Sequence, residues 1–249
     1  MEGTEPTVAN SDRIAPVPRE GGRQVIPRPP TAHAGSPAPW AEMAEEDRRR
    51  ITVARVRRAV TGAGEGAAGG LRLPPDGFPD PGSPAAVLVV LFDEDEEGRV
   101  VLTRRAAHLR SHRGEVSFPG GKMDAGETAE EGALRESAEE IGLDPAPVEL
   151  VGRLTAVTTF ASGSTIVPVV GLLRGRPELV PSPTEVEHVF DVALADLADP
   201  GIFREEWWTV PGTGATGAFP VWFFELPDDT VWGATARMIV DLLHLVLAV

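Results

Sequence analysis

Seven consecutive apolar residues, Ala86 to Phe92 (AVLVVLF), constrain this chain more than any other feature. A strand with one wet face alternates apolar and polar side chains, whereas a short unbroken apolar run belongs to a strand covered on both faces. Turn residues follow at 93–98, and 99–103 reads as the returning strand. A helix is predicted over 128–141, stopped by Gly142 and Pro145. Further strands are expected near 150–158, 166–173, 186–191 and 221–225, with a closing helix from about residue 235. Mixed α and β elements therefore fill 84–249, which we read as one α/β domain.

Upstream the character differs. Residues 1–38 are rich in Pro, Gly, Ser and charge, as in Arg28-Pro29-Pro30, and read as a disordered N-terminal extension. Residues 39–83 read as a helix over 40–60, with Met43, Ile51, Val53, Val56 and Val60 set among charges, followed by a Gly- and Pro-rich linker. The net charge of −15 disfavours nucleic-acid partners, because a polyanion is repelled by such a surface. The absence of cysteine excludes disulfides, Cys-ligated zinc and a thiol nucleophile. No apolar run is long enough for a membrane span and no signal-peptide core is present, so no membrane partner and a cytoplasmic location are expected.

The chemistry concentrates in 121–143, GKMDAGETAEEGALRESAEEIGL. Thr128 followed by Glu131 fits a capping box and starts a helix. At 3.6 residues per turn, Glu136, Glu139 and Glu140 share an arc of about 100°, with Leu134, Ala138 and Ile141 opposite and able to pack on a sheet. Like charges at this spacing repel by about 0.2–0.5 kcal/mol per pair, a cost that a hard cation such as Mg²⁺ removes. A solvated acidic face is the blander reading of the same residues.

The neighbouring positions favour the cation. The stretch resembles the Nudix box, Gly-x5-Glu-x7-Arg-Glu-U-x-Glu-Glu-x-Gly-U, where U is bulky and apolar. Gly121, Glu127, Arg135, Glu136, Glu139, Glu140, Gly142 and Leu143 fall in register, and Ser137 departs at the first U. Eight placed matches arise by chance at a rate on the order of 10⁻¹⁰ per position. The resemblance implies a Nudix-type α/β/α sandwich with a mixed β-sheet, and a Mg²⁺- or Mn²⁺-dependent attack of water on a diphosphate. It implies Glu136 and Glu140 as main metal ligands, Glu139 as a further ligand or an aid to water activation, and the Gly121 carbonyl completing the site. Glu127 and Arg135 match positions that brace the loop against the helix.

Between Arg104 and Arg113 stand four Arg and two His, a basic cluster in an acidic chain. Arginine's planar fork holds phosphate through paired hydrogen bonds, although surface arginines paired with glutamates would look the same. The segment 101–121 resembles the signature of the coenzyme A pyrophosphatase branch of that family, Leu-Leu-Thr-x-Arg-Ser/Ala-x3-Arg-x3-Gly-x3-Phe-Pro-Gly-Gly. Leu102, Thr103, Arg105, Ala106, Arg110, Gly114, Phe118, Pro119, Gly120 and Gly121 match, and Val101 replaces the first Leu. This resemblance implies cleavage of CoA or acyl-CoA to 3′,5′-ADP and (acyl-)4′-phosphopantetheine. Arg105 and Arg110 are the expected phosphate ligands, with Arg104 beside them. Glu185 or Glu187 is a candidate extra carboxylate. ADP-ribose or NADH is the alternative substrate, and a non-catalytic Nudix-fold binding module is the alternative class.

Overall fold

The expected strand at the apolar run spans Ala85–Glu94 and is the structural centre of the molecule. The computed structural model describes residues 24, 26–63, 84–109, 114–159, 164–209 and 217–248. In chain order these form β1 (His33–Ala34), α1 (Glu45–Arg49), α2 (Val53–Ala63), β2 (Ala85–Glu94), β3 (Glu97–Arg105), β4 (Val116–Ser117), β5 (Gly120–Lys122) and α3 (Ala129–Ile141). Then come β6 (Glu149–Arg153), β7 (Val157–Thr158), β8 (Thr165–Leu173), β9 (Val186–Ala193), α4 (Leu194–Leu197), β10 (Phe203–Trp208), β11 (Phe219–Glu225), β12 (Thr230–Trp232) and α5 (Gly233–Leu247).

β2 turns into β3 through Asp95 and Glu96, whose φ values of 50° and 66° suit a two-residue hairpin turn that needs positive φ at both positions. On its other side β2 runs parallel to β8, from Ala85↔Ile166 to Phe92↔Leu173. Parallel and antiparallel neighbours make the sheet mixed, as expected. The two faces of β2 feed different cores. Val87, Val89 and Leu91 pack with α2 and α5, while Ala86, Leu88, Val90 and Phe92 pack beneath α3. Helices on both faces give the α/β/α sandwich.

A second, four-stranded sheet has the order β1-β10-β11-β12. Strand β10 is not foreshadowed by apolar alternation, since FREEWW carries charge on the face that becomes buried. Glu206 is 1% exposed and is satisfied by Arg28, Arg204 and the Trp208 indole N–H. A buried carboxylate survives only with such partners.

The expectations for 1–38 and 39–83 need correction. Residues 1–23 and 64–83 lie outside the described residues, but 26–63 are built into the fold. His33 and Ala34 pair with Trp207 and Glu206, and Trp40 is fully buried against Phe203 and Phe224. The helix expected over 40–60 is two helices. Between them, the Ile51 carbonyl accepts the Gly98 N–H at 2.8 Å and Asp93 accepts the Val53 N–H at 2.8 Å. The β2–β3 hairpin thus takes hydrogen bonds that a continuous helix would have used. Trp40, Ile51 and Leu247 share one core, so residue 84 is not a packing boundary.

Candidate active site

The Thr128–Glu131 capping box forms at the start of α3, and Gly142 ends the helix in the left-handed conformation with φ 65°. Its buried stripe is Ala129, Gly132, Ala133, Ser137, Glu140 and Ile141. That stripe is rotated from the expected one, since Leu134 and Ala138 are only half-buried. Small side chains are the reason, because they let the helix settle close to β2 and β5. Ser137, the departure from the box, is fully buried and donates its hydroxyl to the Ala133 carbonyl at 2.7 Å, so its polar atom is satisfied where it is buried.

Rotation of the helix grades the three carboxylates by depth. Glu140 is 4% exposed, the Glu136 side chain 17% and the Glu139 side chain 62%. Glu140 accepts the Gly120 N–H at 3.0 Å, which ties α3 to β5. Burial pushes its carboxyl up to about 7, and the charges of Glu185 and Glu136 push the same way against Gly120 and Arg105. Gly120 has φ 148°, and a Cβ there would strike the Ala86 carbonyl and Val87. At Gly121 a Cβ would strike the Glu136 carboxylate. At Gly120 the positive φ and the β2 backbone require glycine, whereas at Gly121 a side chain would displace the Glu136 carboxylate.

Glu127 and Arg135 meet as a bidentate pair at 2.7 and 3.0 Å. Arg135 also reaches the Lys122 carbonyl at 3.0 Å, Glu136 at 2.9 Å and Glu139 at 3.4 Å. Its guanidinium holds the Glu127 carboxyl down to about 2, helped by the Asp124 N–H. The pair joins the loop to the helix.

The basic cluster divides. Arg105 places Nη1 3.5 Å from Glu140 Oε1. Arg104 instead grips Asp229 with two bonds, at 2.8 and 2.5 Å, on the other side of the sheet. Its fork is filled, so the expectation that Arg104 holds a substrate phosphate is not met by this arrangement. Asp229 was missed in the sequence because nothing local marks it. Alternation along β3 was the available signal for separating the two arginines. Arg110 lies outside the described residues. His108 sits by the Thr184 carbonyl at 3.1 Å.

Glu185 and Glu187 also separate. The 182–186 segment is tethered by Ser182 N–H to the Glu140 carbonyl and by Ala106 N–H to the Glu185 carbonyl, both at 2.8 Å. It carries Glu185 within electrostatic reach of Glu140. Glu187 faces Arg104 at 4.0 Å. The indoles of Trp207 and Trp222 donate to Glu205, at 3.1 and 2.9 Å, which accounts for them as supports of the second sheet.

Among the described residues no three His, Asp or Glu side chains form a ready-made metal cage. Arg135 engages Glu136 and Glu139, and Glu140 turns to Gly120 and Arg105. A hard divalent cation fits the donor set nonetheless. The donors are oxygens only, one carboxylate is buried without a full counter-charge, and Gly121 leaves its backbone against Glu136. Mg²⁺ is commonly held by one or two carboxylates together with waters and phosphate oxygens, so a closed cage is not required.

A NUDIX domain family model matches residues 82–211, more than half of the chain. Nudix hydrolase 3 of Caenorhabditis elegans is 44% identical over 121 residues, 47% of this chain and 50% of that protein. An uncharacterized Nudix hydrolase, NudL, of Escherichia coli O7:K1 is 35% identical over 159 residues, 64% of this chain and 80% of its own. The chain spans about half the length of curated relatives such as the C. elegans protein. Among solved structures, the Nudix hydrolase RenU of M. smegmatis aligns with a TM-score of 0.41 at 23% identity, covering 47% of this chain and 74% of that one. The matched residues run from the approach to β2 through β10 and contain both motifs, α3 and Glu185. With its glycine, glutamate and arginine positions intact over 121–143, the chain belongs to the Nudix domain family.

Proposed function

We propose that this Nudix hydrolase is a divalent-metal-dependent pyrophosphohydrolase whose substrate is coenzyme A or an acyl-CoA. The observation that carries the reading is that Arg105 of β3 stands 3.5 Å from the buried Glu140 of α3, the helix that also carries Glu136, while the backbone of the 182–186 segment is tied to both Glu140 and Ala106. The CoA branch rests on the motif in 101–121, which contains Arg105 and Arg110.

Glu136 and Glu140 would hold the Mg²⁺ or Mn²⁺, with the Gly121 carbonyl beside them and Glu185 as the extra carboxylate. When bound, that ion supplies charge neutralisation on phosphoryl oxygens and lowers the pKa of water. Glu139, the most exposed of the three, would act as a further ligand or accept a proton. Glu127 fixes Arg135, and Arg135 in turn fixes the Glu136 carboxylate. Arg105 and Arg110 would hold substrate phosphates. Hydrolysis adds water across the P–O–P bridge, giving 3′,5′-ADP and 4′-phosphopantetheine or its acyl derivative.

The test is mass analysis of products after incubation with Mg²⁺ or Mn²⁺ and CoA, acyl-CoA, ADP-ribose or NADH. A higher kcat/KM on ADP-ribose or NADH would replace the CoA reading, and no cleavage of any would favour a binding module.

A further inference from the structure

Arg105 is the cation paired with the buried Glu140, yet the pairing is incomplete. Its Nη1 stands 3.5 Å from the carboxylate, beyond ordinary hydrogen-bond length. Its Nε is buried and has no acceptor among the described residues. Arg104, one residue earlier, shows what a settled arginine looks like, with two short parallel bonds to Asp229. The backbone at Arg105 is pinned by bonds to Glu115 at 3.0 Å and from Gly114 at 3.1 Å, and the next N–H is held by Glu185. The side chain is the part left unsettled.

We propose that Arg105 is a resident counter-ion of Glu140 that a divalent cation displaces, which frees the guanidinium for a diphosphate oxygen. The proposal rests on the metal-dependent reading above and adds an order to it. A carboxylate this deep needs a positive charge, and because the Gly120 N–H already takes Oε2, a divalent cation and Arg105 compete for Oε1 and repel each other there. The incoming ion therefore expels Arg105, and the expelled fork is left beside the place where an anionic substrate arrives. Cation and diphosphate then strengthen each other's binding, by an equal factor in each direction. Arg105 acts here as a stand-in for the cation before it acts as a ligand for phosphate.

The experiment is a Mn²⁺ titration of the full chain without nucleotide, read from the EPR signal of free Mn²⁺. Removing a unit charge beside the ligand should tighten Mn²⁺ binding roughly 5- to 50-fold in Arg105→Gln. Arg105→Lys keeps the charge and should stay near wild type, a split that a merely structural role would not produce. Arg105→Met also removes the charge, so one folded variant of the two suffices. With ADP as the diphosphate probe, the factor by which Mn²⁺ raises ADP affinity should shrink in Arg105→Gln. If Glu140→Gln weakens Mn²⁺ binding while Arg105→Gln leaves it equal or weaker, the counter-ion proposal is overturned and the metal site stands. If wild type and Glu140→Gln bind Mn²⁺ alike, the metal assignment falls and takes the proposal with it.

Discussion

Arg104 and Arg105 are adjacent in the chain and serve opposite faces of β3. Arg104 closes on Asp229 at the rim of the second sheet, while Arg105 approaches Glu140 beneath α3. Strand alternation accounts for this, because successive side chains leave a strand on opposite sides, and the opposition holds although the register with β9 shifts between the two arginines. These two arginines are therefore separate devices, one structural and one facing the site.

Arg104→Ala should cost stability and leave substrate affinity nearly untouched. It strands the Asp229 carboxylate, whose side chain is 5% exposed, and breaking a buried pair this way costs on the order of 3 kcal/mol. Urea unfolding and KM measured on the same variant check both halves. A large rise in KM with unchanged stability would return Arg104 to the substrate.

Glu136→Gln and Glu140→Gln keep side-chain shape and remove charge. Each should lower kcat at saturating Mg²⁺ by more than about tenfold, the expected signature of a lost transition-state interaction. Far-ultraviolet circular dichroism should remain that of wild type. Retention of more than a tenth of wild-type kcat in either variant would sink its assignment as a ligand.

The Glu127–Arg135 pair predicts an acid-sensitive contribution to stability. Arg135 holds the folded-state carboxyl at about 2, below its ordinary 4.5. A depressed carboxyl contributes stability that is present above 4.5 and is lost as pH falls towards 2. Thermal melts between pH 5 and 2 should show wild type losing its advantage over Glu127→Gln within that window. Parallel curves for the two proteins would contradict the pairing.

A chain beginning at Pro39 should fold less stably than the full chain. It lacks β1, which pairs with β10, and it lacks Arg28, which meets the buried Glu206 at 2.7 Å. A loss of 1–2 kcal/mol at this chain length lowers Tm by about 2–8 °C. Equal melting temperatures would show that 26–38 lie on the domain without supporting it.

What could be read from the sequence was local. The capping box at Thr128, the stop at Gly142, the apolar run of β2 and the register of Glu127, Arg135, Glu136 and Glu140 all express spacings within one helix or one strand. Those periods are properties of the backbone and survive without the rest of the fold. What the tertiary structure alone decided was depth and partnership. It rotated α3 so that Glu140 is buried and Glu139 exposed, set Glu187 against Arg104, and buried Trp40 and Glu206. Arg28 and Glu206 are 178 positions apart, and Arg104 and Asp229 are 125 apart. No local period connects such residues, because burial and charge pairing depend on which distant surfaces the closed core brings into contact.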